Sequence, residues 1–99
     1  MSETVSLATR LEPCDDVIFR DLEGESVLLD LKTGLYFGLN PVGTRIWHLM
    51  EEGRTPAQIL ETLLAEYEVP PEQCRRDLEQ LLGALQQKSL VQVAKSASR

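Results

Sequence analysis

The chain changes from a strand pattern to a helix pattern within residues 35–47, LYFGLNPVGTRIW, and this stretch decides the fold. Residues 35–39 are apolar and rich in aromatic side chains, as in a short strand. Asn40 is a strong helix N-cap, and Pro41 is favoured at the first helical position. From Val42 onward apolar residues recur at helical spacing. The stretch therefore predicts a strand that leads directly into a helix.

Two earlier segments have the alternation of strands. Residues 17–22 and 26–31 are separated by a turn around Gly24, and a second turn over 32–34 precedes residues 35–39. Three strands joined by tight turns predict an antiparallel meander in which residues 35–39 form an edge strand. The core face of that edge strand is predicted to consist of Leu35, Phe37 and Leu39.

Three helical segments with short connections follow. The first closes at Gly53, the second begins at Thr55 with Gln58 completing a capping box, and the third begins after Pro70. The apolar stripe of the third helix is predicted to contain Cys74, Leu78, Leu81, Leu82 and Leu85. Trp47 and Tyr67 are interpreted as core aromatic residues, and Leu90, Val91 and Val93 as a short extension that closes the core.

The predicted fold class is α+β and winged helix-turn-helix-like, with an N-terminal three-stranded antiparallel β-sheet followed by three α-helices. The 99 residues are enough for one modest core. We expect a single domain over residues 1–93 and a frayed tail over residues 94–99.

Charge and composition exclude several classes of function. Ten basic and 16 acidic residues give a net charge of −6, and residues 1–39 carry three basic and eight acidic ones. A negative net charge disfavours binding to nucleic acid, because its phosphates are also negative. The absence of long apolar runs and of a secretory pattern predicts no membrane segment and a cytoplasmic location.

The residues that carry chemistry are few. Two distant cysteines and a single histidine predict no metal site and no cofactor. A thiol–imidazole pair of Cys74 with His48 is formally possible, but the favoured interpretation is a core thiol and a surface imidazole. No phosphate-binding or nucleophile motif is present. We therefore expect no catalytic residues and no enzymatic activity.

The uncharged edge strand is the most informative feature for function. Soluble proteins usually protect an apolar edge with charge, proline or a covering segment, because its free backbone groups can pair with another strand. Residues 35–39 contain no charge. Three interpretations stay open: another part of the chain covers the edge, two copies pair as a homodimer, or an extended peptide adds to the sheet by β-augmentation.

An ordered set of segments is typical of a known family: residues 33–47, TGLYFGLNPVGTRIW; residues 52–55, EGRT; Ile59, Leu63, Tyr67 and Val69; and Asp77-Leu78 with Leu81, Leu82 and Leu85. In these segments the chain resembles the PqqD-like family, and the resemblance covers about residues 10–93. The stretch YFGLNP looks most like the stand-alone members of lasso-peptide clusters. The resemblance implies a non-catalytic recognition element that binds the leader of a ribosomally made precursor peptide as an added strand between the third strand and the third helix.

The resemblance also implies partners and a site. The implied partner enzyme is a lasso-peptide leader peptidase or, as an alternative, a radical S-adenosylmethionine enzyme of pyrroloquinoline quinone synthesis. The implied strand wall consists of Leu35, Tyr36, Phe37, Gly38 and Leu39. For the helix wall, one flank of the third helix contains Asp77, Ala84 and Lys88, and the other contains Arg75, Leu82 and Gln86. We choose the flank with Asp77 and predict Asp77, Leu81 and Ala84.

Two other classes of function remain as alternatives. A winged-helix regulator would place the third helix on DNA, but Arg75, Arg76 and Lys88 are balanced there by Glu72, Asp77 and Glu79. A pure interaction module would bind a partner enzyme without binding a leader.

Overall fold

The computed structural model describes residues 9–22 and 25–94. Its elements, in chain order, are β1 (Leu11–Pro13), β2 (Val17–Leu22), β3 (Glu25–Asp30), β4 (Tyr36–Leu39), α1 (Pro41–Glu51), α2 (Pro56–Glu66), α3 (Pro71–Gln87) and β5 (Val91–Val93). Strands β2, β3 and β4 form an antiparallel sheet in that order. The predicted α+β class and meander are confirmed, and the arrangement is compatible with a winged helix-turn-helix-like description. The predicted turn around Gly24 lies outside the described residues.

A second sheet, which the sequence did not predict, joins the two ends of the described chain. β1 pairs antiparallel with β5, with Leu11 opposite Val93. The prediction that Val93 closes the core is wrong, because its side chain is 52% exposed. Ala94, the first residue of the predicted tail, is buried and donates its N–H to the carbonyl of Arg10. Residues 95–99 of that tail lie outside the described residues.

The turn between β3 and β4 explains one wrong prediction. Gly34 has a φ of 78°, and its N–H donates to the carbonyl of Asp30. The carbonyl of Leu35 accepts the N–H of Asp30 at 2.9 Å, so Leu35 closes the turn. Its side chain is 70% exposed and does not belong to the core face. Phe37 is half-buried and Leu39 is buried, as predicted.

The core lies between the inner face of the three-stranded sheet and the helices. Leu28 at its centre is fully buried, and Trp47 on α1 is 1% exposed, which confirms Trp47 as a core aromatic. Tyr67 was also predicted to be in the core, and this is wrong. It follows the last residue of α2 in an extended conformation, which leaves its side chain 37% exposed.

The helix caps form where the sequence predicts them. The Asn40 side chain accepts the N–H of Gly43 at 2.8 Å, so α1 begins immediately after β4. Thr55 and Gln58 form the reciprocal capping box of α2, with bonds of 2.9 and 3.2 Å. Because no loop separates β4 from α1, the first turn of α1 lies at the end of the edge strand.

Helix α3 packs on the core through a stripe that differs slightly from the predicted one. Its buried residues are Cys74, Leu78, Leu82 and Leu85. Leu82 is fully buried, whereas Leu81 is only half-buried. The flank of Arg75, Leu82 and Gln86, which the sequence analysis did not choose, thus includes a core residue, whereas Leu81 beside the chosen flank is not fully buried.

Candidate functional site

Strand β4 is an edge of the three-stranded sheet within the described residues, and it carries no charged side chain. It pairs with β3 along one side only. The Tyr36 side chain is 75% exposed, and Gly38 is exposed as well. The structure therefore contains the uncharged edge strand that the sequence predicts, although it begins at Tyr36 and not at Leu35.

The backbone groups on the free side of β4 can be assigned from the ladder. The Leu35 carbonyl accepts from Asp30 on β3, and in an antiparallel ladder residues bonded to the neighbour alternate with residues that are not. Phe37, two positions on, is thus the next residue bonded to β3. The N–H and C=O groups of Tyr36 and Gly38 point away from β3, toward the free edge. Two donors and two acceptors are available there for another strand.

A groove of about 460 Å³ runs between this edge and helix α3. Its strand wall consists of Phe37, Gly38 and Leu39, and its helix wall consists of Asp77, Gln80 and Leu81. The first two turns of α1 also line the groove, with Val42, Gly43 and Ile46. The groove therefore has backbone hydrogen-bonding groups on one wall and mixed apolar and polar side chains on the other.

A smaller apolar pocket of about 120 Å³ adjoins the groove between α1, α3 and the end of α2. Both are lined by Val42, Ile46 and Asp77, so the two spaces share a border. Tyr67 and Val69 line the far side of this pocket. Tyr67, which the extended end of α2 leaves exposed, therefore contributes to this pocket and not to the core.

The structure brings most of the predicted site residues together. Five of them line the groove: Phe37, Gly38, Leu39, Asp77 and Leu81. Leu35 and Tyr36 are not among its lining side chains, and both are exposed at the edge. Ala84 is half-buried on α3 and does not line the groove. Their assignment as peptide-binding residues stays a prediction.

The sequence analysis missed Val42, Ile46 and Gln80. A signal for the first two was present, because they are four residues apart in the helix that starts directly after β4. Side chains at that spacing share one face of the helix, and the first turn of α1 must lie beside the edge strand. Gln80 follows Asp77 by three residues on α3 and therefore belongs to the same face.

Cys74 lines the apolar pocket beside the groove, whereas His48 lines neither the pocket nor the groove. Burial raises the pKa of the Cys74 thiol, and the Asp77 carboxylate raises it further. This favours the neutral thiol, which is a weak nucleophile. His48 packs edge-on against Phe19, with ring centroids 5.0 Å apart.

An ion pair connects α1 with the end of α2 near the apolar pocket. Arg45 donates two hydrogen bonds to the Glu66 carboxylate, at 3.0 and 2.6 Å. These bonds lower the pKa of Glu66 and raise the pKa of Arg45. The bidentate pair links α1, which carries Val42 and Ile46, to the end of α2.

The described residues contain no group of three or more His, Cys, Asp or Glu side chains that could hold a metal ion. Over residues 9–22 and 25–94, no helix is long and apolar enough to cross a membrane.

The chain is similar to one protein family and to two solved structures. A family model described as "Coenzyme PQQ synthesis protein D (PqqD)" matches residues 25–91. No curated protein matches the chain. The solved structure "TbiB1 in Complex with the TbiA(beta) Leader Peptide" is 43% identical, covers 85% of this chain and 98% of its own, and has a TM-score of 0.78. "Lasso peptide synthetase B1 complexed with the leader peptide" is 25% identical, covers 84% of this chain and 98% of its own, and also has a TM-score of 0.78. Both solved structures are thus complexes with a leader peptide.

Proposed function

The chain belongs to the PqqD family, as its sequence predicted, and from this premise we propose that it is a non-catalytic protein that binds the leader of a ribosomally synthesised precursor peptide. The leader adds to the sheet as a strand along β4, in the groove that faces α3. The observation that carries this proposal is the free, uncharged edge of β4 beside a groove of about 460 Å³. The two similar structures support it, because each is a complex with a leader peptide.

Backbone pairing supplies the main contact in this proposal. The outward N–H and C=O groups of Tyr36 and Gly38 bond to the leader, as in other cases of β-augmentation. A strand added there directs every second side chain toward the helices. Those inward side chains meet Leu81 on α3 and Ile46 on α1, which favours apolar residues at alternate leader positions.

Asp77 supplies the polar contact of the helix wall. Its side chain lines both the groove and the adjoining pocket, and it is exposed in the free protein. A carboxylate accepts hydrogen bonds from backbone N–H groups or from a basic side chain. We expect Asp77 to fix the position of the leader by accepting such a bond.

The proposed delivery partner is a lasso-peptide leader peptidase. Its support is the likeness to the lasso peptide synthetase B1 complex and to TbiB1. The description of the matching family favours a second candidate for the partner, a radical S-adenosylmethionine enzyme of pyrroloquinoline quinone synthesis. In that case this protein acts as the peptide chaperone of that enzyme. Titrating each purified enzyme with the leader-loaded protein separates the two, because only the true partner binds saturably.

The experiment that tests leader binding is a fluorescence anisotropy titration. A labelled leader, taken from a precursor peptide encoded beside this gene, is titrated with the protein. We expect saturable binding to the leader and none to a scrambled leader of the same composition. Equal binding of both peptides would contradict the proposal. A parallel titration with labelled duplex DNA at low salt tests the regulator alternative, which requires salt-dependent binding.

A further inference from the structure

Asp77 is the charged group of the leader site. Among the described residues that line the groove or the adjoining apolar pocket, only Asp77 has a charged side chain, and it lines both spaces. The most polar of the other lining residues, Asn40 and Gln80, are uncharged. An exposed carboxylate on an otherwise uncharged surface is the group that responds to the charge of a ligand.

No lysine or arginine of the described residues forms an ion pair with Asp77. The ion pairs in this part of the chain join Lys32 to Asp16, Arg45 to Glu66, and Arg54 to Glu52. Arg45 belongs to α1, which lines the pocket together with α3, but its two hydrogen bonds hold it on Glu66. Asp77 is therefore available to a cation that a bound ligand supplies.

The negative charge of Asp77 acts on the pocket as well as on the groove. Cys74 lines the pocket and precedes Asp77 on α3 by about one helical turn. Burial raises the pKa of the Cys74 thiol, and the Asp77 carboxylate raises it further. The field that disfavours a thiolate in the pocket favours a positive charge there.

The border between the groove and the pocket suits a long basic side chain. Val42 and Ile46 on α1 and Asp77 on α3 line both spaces. Val42 is 39% exposed, so part of this apolar surface is open to a ligand. Lysine and arginine have an apolar stem that covers apolar surface and a charged head that needs a polar partner. Val42 and Ile46 can hold such a stem, and the Asp77 carboxylate can accept hydrogen bonds from the head.

The charge of the whole chain favours a basic ligand too. The net charge is −6, and residues 1–39, which include β4, carry eight acidic residues against three basic ones. An excess of negative charge attracts a basic peptide before contact. A backbone N–H or a tyrosine hydroxyl also donates to a carboxylate, but neither carries a charge that this field attracts.

We propose that the leader carries a lysine or arginine whose head group binds Asp77 while its stem packs on Val42 and Ile46. The inference rests on the proposed function and narrows it to leaders that have a basic residue at an inward position near α1. An ion pair and a backbone hydrogen bond to Asp77 give different predictions, because only the ion pair depends on one side chain of the leader.

The test is a double-mutant cycle measured by fluorescence anisotropy. The probes are the labelled leader of a precursor peptide encoded beside this gene and variants in which each lysine or arginine in turn is replaced by methionine. Methionine keeps an unbranched apolar stem and removes the charge. Each peptide is titrated with the native protein, with Asp77→Asn and with the control Glu79→Gln. Glu79 lies two residues from Asp77 on another side of α3 and lines neither space, so the control removes an equal charge elsewhere.

We expect Asp77→Asn to weaken binding of the unaltered leader by about fivefold, and Glu79→Gln to change it by less than about twofold. One methionine variant of the leader should bind the native protein about fivefold more weakly, and should bind Asp77→Asn as tightly as the unaltered leader does. Asp77→Lys should then prefer a leader with glutamate at that position over the unaltered leader.

Two results would overturn the proposal. One is that Asp77→Asn changes the affinity of the unaltered leader and of every methionine variant by the same factor, because Asp77 then binds no basic side chain. The other is an equal loss of affinity in Asp77→Asn and Glu79→Gln, which would be an effect of net charge alone. Absence of leader binding by the native protein contradicts the proposed function itself, so the two failures are distinguishable.

Discussion

The two edges of the three-stranded sheet differ in how they are protected. β2 carries Arg20 and Asp21 in its exposed half, whereas β4 contains no charged residue. Charges on an edge strand discourage pairing with another strand, because pairing would bury or crowd them. One sheet thus has one edge that is protected and one that is open. The difference leaves β4 as the edge to which another strand can add.

The surroundings of the two edges strengthen this contrast. β4 faces α3 across the groove, so a strand added there gains a second wall that contains Asp77 and Leu81. Backbone bonds alone do not select a sequence, whereas a side-chain wall does. The β4 edge therefore combines a source of affinity with a source of specificity.

The largest effect is expected from proline on the open edge. The Tyr36 N–H points away from β3, so Tyr36→Pro removes a donor that only an added strand uses. Loss of that bond leaves a leader carbonyl without a partner, and we expect leader affinity to fall by about 10- to 100-fold. Anisotropy titration of the labelled leader measures the change.

The matched control places proline on the protected edge. The carbonyl of Asp16 accepts the N–H of Leu31, so the alternation directs the N–H of Asp21 away from β3 as well. Asp21→Pro therefore removes an equivalent donor from β2. It should leave leader affinity unchanged, and equal losses in the two variants would contradict the assignment of the leader to β4.

A smaller effect is expected from the helix wall. Leu81 and Leu60 are both half-buried leucines packed against the core, but only Leu81 lines the groove. Truncation to alanine should lower the free energy of unfolding by about 1–2 kcal/mol in either variant, measured by urea denaturation. Leader affinity should fall by about fivefold for Leu81→Ala alone. A similar loss in Leu60→Ala would show that the effect comes from stability and not from the groove.

The parts of the fold that the sequence predicted depend on local signals. Asn40 and Pro41 begin α1, Thr55 and Gln58 cap α2, and Gly34 takes the positive φ of its turn. Each of these depends on residues within a few positions of one another. The beginnings of α1 and α2 and the turn at Gly34 could therefore be predicted without knowledge of tertiary contacts.

The errors arise where tertiary contacts decide. β1 and β5 have three residues each, and they pair across almost the whole described chain, so neither has a local signal. Leu35 has the sequence of a strand residue but closes a turn instead. Tyr67 has the spacing of a core residue, but α2 ends one residue earlier, at Glu66.

The candidate site was predicted in part for the same reason. The uncharged strand is a local pattern, and choosing the flank of α3 with Asp77 and Leu81 agrees with the lining of the groove. Ala84 does not line it, and the last residue of α3 that does is Leu81, three positions earlier. Val42 and Ile46 were missed, although their spacing on the helix that begins directly after β4 is a local signal that places them beside the edge strand.

Residue-resolved amide hydrogen exchange, with and without the leader, tests the central claim most directly. The account predicts that the leader slows exchange at Tyr36 and Gly38, whose N–H groups point to the open edge, and leaves Asp21 on the protected edge unchanged. Saturable leader binding without slower exchange at Tyr36 and Gly38, or with slower exchange at Asp21 instead, would contradict it.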